Sequence, residues 1–79
     1  MDEDILEVAS EMQKNIVAEA DAIHKYDDAL KIVLASQLDQ NTIAEITNNI
    51  SEIISDELNH MERLQKIYVL LTGIEPNKD

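Results

Sequence analysis

SQLDQNTIAE, residues 36–45, divides the chain. Ser36 to Asn41 is the only cluster of turn-type residues in the middle of the sequence. Thr42-Ile43-Ala44-Glu45 then fits a capping box, a Thr followed three residues later by a Glu, and so predicts a helix start. Before the cluster there is neither Gly nor Pro, and Asp2 and Asp4 suit a helix N-terminus. Ile5, Val8, Met12, Ile16, Ile23, Leu30 and Val33 recur at helical spacing. After the cluster, Ile43, Ile46, Ile50, Ile53, Leu64, Ile67 and Leu71 do the same. Gly73 fits a C-terminal cap and Pro76 forbids continuation. The expectation is an all-α, single-domain antiparallel hairpin: helix ~3–37, turn ~38–41, helix ~42–72 and a tail over 73–79. Each arm would be about 50 Å long at the α-helical rise.

A hairpin of 79 residues buries little of itself. Chains this short usually lean on disulfides, a metal or self-association. Cys is absent, which removes disulfides and thiolate metal sites. The net charge is −11, with 17 acidic residues against six Lys and Arg. That balance argues against nucleic acid and anionic membranes as partners and favours cations. No apolar run approaches a membrane span, and MDEDILE lacks the basic and apolar regions of a signal peptide. A cytoplasmic protein is expected. Ile54, Leu58, Met61 and Tyr68 form a surplus apolar stripe on the second arm, and two hairpins packing as a four-helix bundle would cover it.

The apolar lines have polar gaps. Ile5, Met12, Glu19, Tyr26 and Val33 are each seven apart, with Glu19 and Tyr26 in the middle. On the second arm, Glu57 interrupts Ile43, Ile50, Leu64 and Leu71, and His60 interrupts Ile46, Ile53, Ile67 and Ile74. In an antiparallel hairpin, residues equidistant from the turn lie side by side. The midpoint of 19 and 57 is 38 and that of 19 and 60 is 39.5, both inside the turn. Glu19, Glu57 and His60 are therefore expected to share one layer. Unpaired carboxylates in a core are costly. A two-fold dimer would gather four Glu and two His, and two divalent ions would cancel the charge. Carboxylate and imidazole suit iron or manganese, and Glu-x-x-His presents both on one helix face. The competing reading is a polar layer that fixes register and oligomeric state without metal. His24 falls off these lines and reads as a solvated residue. Asp21 and Asp56 read as surface charges that could escort cations, and Met12 and Met61 as packing residues.

On EADAIHKY (Glu19 to Tyr26) and ISDELNHMERL (Ile54 to Leu64), the chain resembles the ferritin-like di-iron superfamily. The likeness is to rubrerythrin-type halves and, more closely, to the encapsulated ferritins, whose subunits are two-helix hairpins. The resemblance implies Glu19 as a terminal ligand, Glu57 as a bridging ligand and His60 as a nitrogen ligand. Tyr26 would donate a hydrogen bond to a ligating carboxylate. It also implies a homodimer that completes each site, with two iron ions per dimer and manganese as the alternative, and assembly of dimers into rings. The expected activity is oxidation of Fe²⁺ for storage or detoxification, with an encapsulating shell or storage partner to hold the product. Lys25 stands where some encapsulated ferritins carry Trp. Two further readings accompany this one: a rubrerythrin-like scavenger of peroxide, without the Cys module of a self-contained relay, and a metal-free helical adaptor.

Overall fold

The computed structural model describes residues 2–73. They form two helices, α1 (Glu3–Leu34) and α2 (Gln40–Thr72), and no strand. The helices pack antiparallel as a rod of 55 × 20 × 20 Å. The radius of gyration is 17.0 Å, against roughly 12 Å for a compact chain of this length.

Local chemistry sets the ends. The Asp2 side chain caps α1 by accepting from the Asp4 amide at 2.7 Å. At the other end the Ser36 hydroxyl donates to the Val33 carbonyl at 2.6 Å and its amide donates to the same oxygen at 3.1 Å. Those bonds take up an orphan carbonyl and stop α1 at Leu34, earlier than the expected end near residue 37. The start of α2 differs too. Thr42 is not the cap. Asp39 is, accepting from the Thr42 amide at 2.8 Å and the Thr42 hydroxyl at 2.9 Å. A carboxylate held by two donors is a stronger cap than a Thr hydroxyl. These two donors also hold the Asp39 carboxyl below its ordinary value of 3.8, the backbone bond being the larger cause. Gly73 ends α2 in the left-handed region, with φ 73°, and its amide donates to the Val69 carbonyl at 2.7 Å. Pro76, Ile74 and the expected tail beyond Gly73 lie outside the described residues.

Two helices meet along a seam and have no interior. Among the described residues Ala9 alone is fully buried, at 3% exposure. Ile5, Met12, Ile16, Ile23, Leu30 and Val33 of α1 are half-buried, as are Ile43, Ile50, Leu64 and Leu71 of α2. The expected surplus stripe is corrected. Ile54, Met61 and Tyr68 are half-buried and only Leu58 of that set stands exposed. On the other side of the main line of α2, Ile46 is half-buried while Ile53, His60 and Ile67 are exposed, the two isoleucines at 37% and 42%. Periodicity places both stripes beside the seam. The hand of the helix crossing decides which of them α1 covers.

No described helix is long and apolar enough to cross a membrane. The chain exposes 6067 Å². A compact monomer of 8.9 kDa exposes roughly 4,800 Å².

Candidate metal centre

Glu19 stands at the middle of α1, on the line that faces α2. Glu57 and His60 lie one turn apart on α2, and the helical period sets them on one face. The three residues meet: one ligand atom from each lies within 4.8 Å of the other two. His60 Nδ1 is 3.9 Å from Glu19 Oε2. That Glu19 oxygen is buried and accepts no hydrogen bond. Such an atom in a protein interior normally has a partner. The expectation that these residues share one layer therefore holds across two helices and a turn.

The layer is not dry in a single chain. The Glu19 side chain is 25% exposed but the His60 side chain is 57% exposed. His60 and Glu19 border an open hollow of about 300 Å³, together with Asn15, Arg63 and Leu64. Sequence reasoning missed Asn15 and Arg63. The signal was available: Asn15 precedes Glu19 by four residues and Arg63 follows His60 by three, so each shares a face with a candidate ligand.

The donor set fits a divalent ion. An ion bonded at roughly 2.0–2.2 Å to three donors holds them about 3–4 Å apart, so the cluster, with its ligand atoms within 4.8 Å of one another, closes by about 1 Å to take it. Two carboxylates would neutralise a 2+ charge. Carboxylate oxygen with imidazole nitrogen suits iron and manganese. The Glu19 oxygen that accepts no hydrogen bond, beside an imidazole nitrogen and a second carboxylate, is the observation that a cation would answer.

The other expected residues are placed differently. Tyr26 is half-buried one heptad from Glu19 and makes no side-chain hydrogen bond among the described residues. The bond from its hydroxyl to a ligating carboxylate is therefore not formed in the lone chain. His24 is exposed and lies 3.6 Å from Asp28, as a solvated residue should. Asp21 is held 3.1 Å from Lys25. Met12 and Met61 are half-buried in the packing and not among the cluster's donors.

Comparison with models of known families, with characterised proteins and with solved structures finds no match to this chain. The functional reading rests on the site itself.

Proposed function

We propose that Glu19, Glu57 and His60 bind divalent iron as a substrate and release it oxidised, at a site completed by a second copy of the chain in a four-helix bundle of the ferritin-like kind. The observation that carries this reading is the convergence of three ligand atoms within 4.8 Å, from helices joined only by a short turn. The two carboxylates favour the more highly charged ferric product over the ferrous substrate. His60 adds a neutral nitrogen donor. The acidic surface, at −11 per chain, concentrates cations near the hollow. Dioxygen or peroxide serves as the electron acceptor. The chain is too small to enclose a mineral, so a storage role needs a larger shell.

The test is aerobic addition of Fe²⁺ while following ferric absorbance. Wild type should accelerate oxidation over buffer, and Glu57→Ala and His60→Ala should fall to the buffer rate. Equal rates in wild type and both variants would remove the assignment.

One observation favours a second reading. Ile53 and Ile67 are exposed beside His60, as a metal-free helical adaptor would require. Elemental analysis of natively purified protein separates the two. Absence of bound metal, together with a melting temperature indifferent to Fe²⁺ and Mn²⁺, favours the adaptor.

A further inference from the structure

We propose that the second copy packs antiparallel against the His60 flank of α2, with its register set by two reciprocal ion pairs between Arg63 of one chain and Asp56 of the other. This deepens the metal reading, since it names the face and alignment of the partner on which that two-chain site depends.

The first ground is charge. Lys14, Lys25, Lys31 and Lys66 each sit within 4.0 Å of an acid three or four residues away on their own helix. Arg63 is the one described Lys or Arg without such a partner, although the chain carries 17 acids. It borders the hollow beside His60 and Glu19. Asp56 is exposed and also has no ion pair among the described residues. The two are seven residues apart on one line of α2. That is about 10 Å along the axis, beyond the reach of a pair within one helix.

The second ground is symmetry. In a two-fold interface, residue i meets residue j and j meets i. For antiparallel helices the axis lies at the midpoint of each meeting pair. The midpoint of 56 and 63 is 59.5. On the adjacent apolar line the midpoint of Ile53 and Ile67 is 60, which is His60 itself. One axis thus brings Ile53 onto the partner's Ile67, Arg63 onto the partner's Asp56 and the two His60 layers together. Charged and apolar lines agree within half a residue.

The third ground is area. The chain exposes 6067 Å², roughly 1,200 Å² more than a compact monomer of its mass. A standard interface removes about 800 Å² from each partner. The excess over a compact monomer is larger than the area that one partner loses in such an interface.

Charge reversal on the full chain tests this, in metal-free protein with circular dichroism as the check on folding. Arg63→Asp is acidic at both positions and Asp56→Arg is basic at both. Sedimentation equilibrium should show a wild-type dimer and self-association weakened about tenfold or more in each variant, because like charges then face each other twice. An equimolar mixture should form the heterodimer in preference to either homodimer, read by native mass spectrometry. Undiminished homodimers, no heterodimer preference, or a wild type that stays monomeric up to millimolar concentration would each overturn the proposal. Dimers that obey the charge rule sustain the interface even if the iron assay fails. Ion binding by a chain that sediments as a monomer overturns the interface while leaving the cluster standing.

Discussion

Glu57→Gln should make the metal-free protein more stable and at the same time remove its response to metal. The two carboxylates of the cluster offer ligand atoms no more than 4.8 Å apart. Two unit negative charges at that separation repel by about 1 kcal/mol in water and by about 3–4 kcal/mol at an effective dielectric near 20. With His60 more than half exposed, the lower end applies, and about 1–2 kcal/mol is the working figure. The substituted side chain would also put an amide donor in the same cluster as Glu19 Oε2, which accepts no hydrogen bond now and would gain one if the two side chains closed to contact. A satisfied buried acceptor adds stability of order 1 kcal/mol.

Metal reverses the order. An ion that binds only the folded chain stabilises it by about 2.7 kcal/mol at a concentration one hundred times its dissociation constant. The variant has lost a charged ligand and should gain little. The assay is thermal melting by circular dichroism, at one protein concentration, with chelator and then with Mn²⁺. For a domain this small each kcal/mol moves the midpoint by about 4–8 °C. In chelator the variant should melt above wild type by several degrees, and in Mn²⁺ below it. A register-fixing polar layer gives no crossing. If the variant melts lower in both conditions, or if wild type ignores Mn²⁺, the like-charge reasoning about this cluster is wrong.

Two other perturbations follow from the fold. The Asp39 carboxyl is held below 3.8 by the Thr42 amide first and the Thr42 hydroxyl second. A group with a lowered folded value contributes stability that is full above 3.8 and is lost as pH falls through that lower value. Asp39→Asn keeps the cap but should flatten the acid limb of a melting-temperature profile measured downward from pH 5. Thr47 Oγ1 is buried without a hydrogen-bond partner. Thr47→Val keeps the shape and removes the unsatisfied hydroxyl, so a denaturant titration should show a gain of up to about 1 kcal/mol.

Most of the hairpin was legible because one residue cluster, SQLDQN, is the sole break between two long helical patterns. The site was legible for a related reason. Heptad spacing puts Glu19, Glu57 and His60 on seam lines, and reflection about the turn puts them at one level. Both steps need only the helical period and an antiparallel return, and an error of one residue in the centre of the turn shifts the level by about two residues, less than one helical turn. The cap was not legible. Asp39-x-x-Thr42 and Thr42-x-x-Glu45 are overlapping boxes three residues apart, and the choice depends on how early Ser36 closes α1. The free flank was not legible either. Ile54 and Ile53 lie on opposite sides of the line through Ile50 and Glu57, and their exposure follows from crossing geometry that a single helix does not encode. Arg63 went unread because its meaning lies in the lack of a partner within its own chain.

The openness of the cluster bears on the order of events. In the lone chain, water reaches His60, and two neighbouring carboxylates are tolerable because solvent screens them. Covering the flank with a second copy removes that water and gathers four carboxylates in one layer. Their mutual repulsion then grows several-fold as the effective dielectric drops, and burying them unneutralised opposes association, so the metal-free dimer is held by its Arg63–Asp56 and Ile53–Ile67 contacts alone. A divalent ion at each cluster cancels the charge and tightens the same closure. On the proposed reading, an ion therefore enters through the hollow beside Asn15 and Arg63 while the site is open. Association then excludes water around it. A ligand layer sealed within the hairpin from the start would hold its ions more tightly, but would leave them no route in and no route out after oxidation.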